Sequence, residues 1–374
     1  MKITKPAWIE VYLKNCAHNI NEVKKCIDEN TKICAVVKAD GYKLGSTAVA
    51  KEYIKNGAYM LAIASLDEGI ELRKEIKDTP ILVLGYTPDN LFKESIDYNL
   101  TLTIYSEEQA LKVQNIAKKL DQNVKIHVKI ETGMNRLGFK PDGNSIKIIK
   151  NLYEDDNINL EGIYSHLAKA DERDKTSVFK QKKIFDDFLS ILEEEKINIP
   201  LKHISNSAAI IDLPSFNYDM VRPGIMLTGL YPSDEVDKSK VNLKQAFSLK
   251  VKIANVKWID VGEGVSYGHQ FIAKEKTKVA TLPIGYSNGF TRLLTDKMKV
   301  SFNGQKCSLI GRVCMDQCMI NVSHIDDIKI GDIVTIYGNG QSNTTTIEEV
   351  AKLIGTINYE IITMLDRGLP KIYK

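Results

Sequence analysis

Long apolar runs are missing from this chain. No stretch comes near the roughly 20 residues a membrane-spanning helix needs, so no membrane partner is expected. The opening MKITKPAWIE is charged and lacks an apolar h-region, which reads as no secretory signal and points to the cytoplasm. Charge imbalance is missing too: 51 Lys and Arg stand against 48 Asp and Glu, a formal net charge of +3. No run of like charge is long enough to act as a nucleic-acid footprint, so nucleic acid is not an expected partner. The six cysteines form no CxxC pair. Cys314 and Cys318 stand four apart and can be read as metal ligands, but nothing beside them completes a tetrahedral set. Reduced thiols in a cytosolic protein are the better reading, with no metal expected. Internal repeats, low-complexity segments and flexible linkers are also absent from the sequence.

What remains is a chain rich in short apolar runs. Its 374 residues, 43% hydrophobic, exceed what one core usually supports, and two domains are expected. Apolar runs at 33–37, 59–64, 81–84, 102–105, 124–130, 160–164, 202–204 and 220–227 alternate with helical stretches. One helical stretch opens at Ser65 with Glu68 three residues on, the spacing of a capping box. Eight strands alternating with helices imply a parallel α/β sheet, and eight is the number that closes a (β/α)8 barrel. An open doubly wound sheet is the rival. From about residue 241 helical periodicity fades. Short strands at 247–253, 299–302 and 333–336 follow, with turns at Asn303-Gly304 and Asn339-Gly340 and one helix near 346–354. The expected domains are a barrel over 12–238 and a mainly β domain made of 1–11 and 239–374.

In a barrel, groups just past the strand C-termini form the active site. Those positions carry Lys38, Arg136, His166, Ser205-Asn206-Ser207 and Arg222-Pro223-Gly224. A lysine directly after an apolar strand is either a snorkelling surface residue or a buried amine of lowered pKa. Along 124–130, alternation puts His127, Lys129 and Glu131 on one face and Ile126, Val128 and Ile130 on the other, so the polar trio can point into the barrel. Each residue alone has a plain structural reading: a salt bridge for Arg222, ordinary hydrogen bonds for the tyrosines and serines, core packing for a strand tyrosine.

The wording of several segments is more specific. AVVKADGY (35–42), HVKIETGMNRLGF (127–139), EGIYSHLAKAD (161–171), SNSAA (205–209), VRPGI (221–225), GVSYGH (264–269), PIGYSNG (283–289), GRVCMDQ (311–317) and INYEI (357–361), with Arg367 and Pro370 after them, occur in this order. Together they resemble the alanine racemase family, pyridoxal-phosphate enzymes of fold type III, almost end to end. The resemblance implies pyridoxal 5'-phosphate as cofactor, held by Lys38 as a Schiff base. It implies Tyr42, Ser207, Tyr359 and the main chain around Gly224-Ile225 at the phosphate, Asn206 also among the cofactor-binding residues, His166 against the ring and Arg222 at the pyridine nitrogen. It further implies a two-base racemisation of alanine, with Lys38 on one face of the substrate and Tyr267 on the other. A phenol with a reference pKa near 10 needs neighbouring positive charge for that role. Arg136, aided by the main chain near Met315, would steer the substrate carboxylate or the cofactor phenolic oxygen. Lys129 is a candidate for carbamylation. Tyr267, Tyr286 and Tyr359 would form an inner gate, and Asp171, Arg292 and Arg312 an outer rim. The family also implies a head-to-tail homodimer in which each site takes Tyr267 from the partner chain.

This chain departs from the family pattern in places. Lys43-Leu44-Gly45 stands where Gly-His-Gly is usual, Thr228 where a tyrosine is usual, and Glu131 where Asp is commoner. Two other activities share the scaffold: a serine or broad-specificity racemase, and a barrel-type amino-acid decarboxylase that would release carbon dioxide. A non-catalytic cofactor-binding protein is a third class, but its short barrel-only members lack the β domain. Loss of optical rotation across a panel of L-amino acids separates the racemases.

Overall fold

The structure, a computed structural model, describes residues 5–374. The first four residues of the expected 1–11 segment lie outside the described residues. The chain divides into two compact units. One contains residues 16–41 and 46–243; the other contains the described part of 1–15 together with 42–45 and 244–374. Thus 12–15 and 42–45 group with the strand-rich unit, and 239–243 with the helical one.

In chain order, β1 (Ala7–Val11) belongs to the strand-rich unit, and the next eight strands belong to the other. These are β2 (Lys32–Val36), β3 (Met60–Ile63), β4 (Ile81–Val83), β5 (Leu102–Ile104), β6 (Val124–Lys129), β7 (Ile158–Tyr164), β8 (Leu201–His203) and β9 (Met220–Val221). Helices including Ser46–Lys55, Leu66–Arg73, Glu107–Leu120, Gly143–Tyr153 and Thr176–Glu194 alternate with them. All the pairings are parallel, in the orders β4-β3-β2-β9 and β5-β6-β7-β8. A bridge between Leu82 and Thr101 joins the two runs on one side. On the other, Asp219 N donates to Lys202 O and Arg222 N to Ser205 O. The sheet therefore closes as a (β/α)8 barrel. Strands β2 to β4 are almost wholly buried, which is why they read as unbroken apolar runs, whereas β6 alternates.

Three local expectations need correction. The apolar run 220–227 is a strand only at Met220–Val221; Ile225–Thr228 forms a short 3-10 turn. Pro223 has no N–H for a ladder, and a buried apolar turn looks like a buried strand in sequence. The capping box at Ser65 is not made. Ser65 Oγ donates to the Asp67 carboxylate, while Glu68 accepts from Ala64 N at 2.8 Å and from Ala39 N at 2.6 Å. The barrel brings a competing donor, Ala39 N–H, within reach of Glu68, and sequence spacing does not show it.

The third correction is in the strand-rich unit, where two helices occur rather than one, Ile347–Ile354 and Asn358–Met364. The first has a true capping box between Thr346 and Glu349. The remaining strands are β10 (Phe247–Lys252), β11 (Asn255–Ile259), β12 (Gly264–Val265), β13 (Phe271–Ile272), β14 (Thr277–Leu282), β15 (Lys299–Phe302), β16 (Gln305–Ser308), β17 (Cys318–Asn321), β18 (Ile333–Tyr337) and β19 (Lys371–Tyr373). They form sheets in the orders β16-β15-β18-β10-β1-β19, β11-β14-β17 and β12-β13. Phe302 pairs with Gln305 across Asn303-Gly304, whose φ values of 45° and 81° make the two-residue hairpin turn that Asn-Gly favours. All six cysteines are free. Among the described residues no helix is long and apolar enough to cross a membrane.

Candidate active site

The barrel mouth is built from the chain just past each strand. Lys38 stands two residues beyond β2 and is half-buried. Burial lowers its pKa, Arg136 lowers it further, and Glu68 opposes both. Immediately after it the backbone enters the left-handed region: φ is 53° at Ala39, 57° at Asp40, 62° at Gly41, 54° at Tyr42 and 68° at Lys43. Only the glycine adopts that conformation without cost.

Arg222 follows β9 and is 4% exposed. Its recorded partners are all neutral. Nη1 lies 2.7 Å from His203 Nδ1; Nη2 donates to Ser165 O at 2.7 Å and Ile204 O at 3.2 Å, and lies 3.3 Å from His166 Nδ1. The guanidinium also sits 5.0 Å from the Tyr164 ring. Burial pulls its pKa down to about 10, which still leaves it charged at neutral pH. The salt bridge that would be its plain structural role is not what holds it. Because Arg222 can only donate, His203 Nδ1 must accept, and His203 Nε2 then donates to His127 Nδ1 at 2.9 Å. Burial and then Arg222 hold His166 and His203 well below the usual histidine range, and hold His127 near 3. All three are therefore neutral near pH 7.

His127 fits because of Gly162 opposite it: a Cβ there would come within 2.6 Å of the imidazole. The β6–β7 ladder shifts register between Ile126 and His127, so that His127 pairs with Gly162 rather than Glu161. Tyr164 stacks on His203 with 4.8 Å between ring centroids, and its hydroxyl lies 3.0 Å from Thr103 Oγ1. Lys129 points into the same interior, 5% exposed, with Nζ 5.6 Å from the Tyr164 ring centroid. Burial, then Arg136 and Arg222, lower its pKa to about 8. Glu131 is past the end of β6, half-buried, and accepts from Gly133 N and Arg136 N. Sequence reading missed His203, Tyr164 and Glu68. The inward spacing of His203 and Ser205 was the available signal for the first.

Ser207 opens the helix Ser207–Asp212, capped by the Asn206 side chain accepting from Ala209 N. Its hydroxyl lies 3.0 Å from Gly224 N and 3.5 Å from Met226 N, so one hydroxyl and the amides of the 224–226 turn converge. Arg136 is exposed and Asp171 half-buried.

The strand-rich unit carries the remaining sequence-predicted residues. Tyr267 is 72% exposed on a short turn after β12. With Cys314, Met315 and Asp316 it lines a concavity of about 600 Å³. Tyr286 N donates to Cys314 O and Ser287 N to Met315 O, which brings Tyr286 and Met315 onto neighbouring strips of chain. Arg312 donates to Gln270 Oε1 at 3.1 Å, and Arg292 is exposed. Tyr359 is half-buried in the helix Asn358–Met364. Tyr42 groups with this unit, and burial pushes its phenol up.

Comparison with known proteins identifies the family. The profile of the alanine racemase N-terminal domain matches residues 11–232, and that of the C-terminal domain matches 246–373. An alanine racemase of Methanococcus maripaludis is 45% identical over 99% of this chain and 99% of its own. The structure of an alanine racemase from Clostridium difficile 630 superposes with a TM-score of 0.95 at 44% identity, covering 100% of this chain and 97% of that one. The same enzyme in complex with cycloserine gives 0.94 at 43%, covering 100% and 96%. The chain belongs to the alanine racemase family.

Proposed function

We propose that this chain interconverts L- and D-alanine in the cytoplasm with pyridoxal 5'-phosphate as cofactor, using Lys38 and Tyr267 of the partner subunit as its two bases. One observation carries the reading: a half-buried amine of lowered pKa at Lys38 shares the barrel mouth with Arg222, a buried guanidinium whose recorded partners are neutral. Residues 12–238 are the cofactor-binding domain, and 1–11 with 239–374 the domain that supplies the second base.

The donor set fits the cofactor. Lys38 would hold its aldehyde. The Ser207 hydroxyl and the amides at Gly224 and Ile225 suit a phosphate, with Tyr42, Asn206 and Tyr359 completing its shell. His166 would lie against the ring. When bound, pyridoxal phosphate withdraws electrons from the Cα–H bond of the amino acid attached to it. Arg222 keeps its own proton and can only donate to the pyridine nitrogen. That limits the withdrawal and favours prompt return of the proton to Cα over transamination. Lys38, neutral once freed, removes or returns a proton on one face, and Tyr267 of the partner subunit does so on the other. Arg136 and the main chain at Met315 orient the substrate carboxylate, and Lys129, carbamylated, supplies an anion that holds Arg136. Tyr286 and Tyr359 restrict the pocket to a small side chain, with Asp171, Arg292 and Arg312 at its rim.

Lys38→Ala tests the reading. It should lower alanine racemisation by roughly a thousandfold or more and abolish the visible absorption of bound cofactor. A mutant that keeps that absorption without added amine would remove Lys38 from its role. A panel of L-amino acids run on the unmutated enzyme checks the substrate: release of carbon dioxide would indicate decarboxylation, and faster loss of optical rotation with serine would displace alanine.

A further inference from the structure

The chain leaves Lys38 through five consecutive residues with positive φ, four of them not glycine. Left-handed helical backbone costs roughly 1–2 kcal/mol per non-glycine residue, so surrounding structure must hold it in place. The hydrogen bonds that hold it can be named. Gly41 N donates to Val37 O at 2.8 Å. Asp40 Oδ1 accepts from Ser46 N at 3.0 Å. A third comes from another element: Glu68, in the first turn of the helix Leu66–Arg73, accepts from Ala39 N at 2.6 Å with one carboxylate oxygen and from Ala64 N at 2.8 Å with the other.

Resting on the reading of Lys38 as the cofactor lysine, we propose that Glu68 is a positioning residue for Lys38. Its carboxylate bridges the chain leaving β2 to the chain leaving β3, and so fixes the strained turn from which the Lys38 side chain is aimed. A carboxylate accepts at both oxygens; a glutamine in its place would present an N–H₂ to one of the two donors. The bridge also puts a negative charge beside the amine. The other charged groups that act on Lys38 are cations, Arg136 past β6 and Lys129 on β6, while His166 past β7 faces it as a neutral imidazole. Glu68 is the one among these that favours the protonated amine.

The experiment begins with the unmutated enzyme, reduced with borohydride in the presence of pyridoxal phosphate. Modification of the peptide bearing Lys38 secures the reading beneath this proposal, so that the failures named below fall on Glu68 alone; modification elsewhere overturns that reading and the proposal with it. Glu68→Ala and Glu68→Gln are then compared, with melting curves confirming that they fold. If the alanine variant does not fold, the near-isosteric glutamine carries the test. The rate at which Lys38 of the cofactor-stripped chain takes up pyridoxal phosphate is followed against pH. Its midpoint should move to lower pH by about half a unit or more, since the favourable charge is gone. kcat/KM for alanine should fall at least tenfold. Ala39→Gly, added to either variant, should recover at least threefold, because glycine adopts the left-handed conformation without needing to be held. An unmoved midpoint with kcat/KM within twofold of the unmutated enzyme overturns the proposal. So does a loss that Ala39→Gly leaves unchanged, which would make Glu68 only the start of its own helix.

Discussion

Lys129 shows how a single buried group can couple chemistry to pH. Its amine is lowered to about 8 by burial, by Arg136 and by Arg222. Unmodified, it binds its proton less readily folded than unfolded. The stability it contributes therefore rises as pH climbs from about 8 toward the ordinary lysine value near 10.4, and is lost below. A carbamate would discharge that penalty at neutral pH. The amine attacks carbon dioxide, a proton is released, and the resulting anion faces two guanidinium groups. Only the neutral amine reacts, so initial uptake at constant dissolved carbon dioxide should rise roughly tenfold from pH 7 to 9. Carbon-13 NMR with labelled bicarbonate should show a carbamate resonance that Lys129→Ala removes. A plain ammonium at saturating bicarbonate would end the idea.

At the scale of elements, the helix Leu66–Arg73 serves both ends of the barrel. Glu68 near its start faces the chain leaving β2 and β3, and Arg73 at its end organises the opposite face. Arg73 donates to five backbone carbonyls, those of Ile76, Lys77 and Thr79 ahead of β4 and of Tyr98 and Asn99 ahead of β5. Arg73→Lys keeps the charge but offers three donors in place of a planar fork, leaving at least two carbonyls without their partner. The variant should lose about 2–3 kcal/mol of stability by denaturant titration. kcat/KM should be unchanged, since catalytic groups of such barrels sit at the C-terminal ends of the strands. Unaltered stability would mean that water replaces the fork at no cost. The 220–227 run illustrates the limit of reading elements from sequence. Its apolarity reports burial correctly, but Pro223 ends the strand and lets the following amides turn toward Ser207.

At the scale of the whole molecule, the proposed assembly makes a numerical claim. If each site takes Lys38 from one chain and Tyr267 from its partner, Lys38→Ala and Tyr267→Phe homodimers are each nearly inactive. In a mixed dimer one site collects both defects and the other none. Random reassortment, after the two mutants are unfolded and refolded together, should restore about a quarter of wild-type activity, because about half the dimers are mixed and each has one intact site. No recovery, with heterodimers proven and cofactor bound, would mean that each site is complete in one chain. The 72% exposure of Tyr267 is the structural feature behind this prediction.

The sequence alone determined the class of fold and most of the residues at issue. Apolar runs of strand length, spaced by helices, specify a parallel sheet, because parallel strands are buried on both faces and leave a continuous hydrophobic record. The motif at 35–42 marks Lys38, and the change of texture near 241 marks the second unit. Tertiary structure decided what those residues touch. That Arg222 meets histidines and carbonyls rather than a carboxylate, that His127 needs Gly162 across a shifted register, and that Glu68 serves Ala39 rather than Ser65, all depend on closure of the barrel. Such contacts join residues 18 to 57 positions apart here. A local pattern carries propensity and burial, but not the through-space partner that sets a hydrogen bond or a pKa.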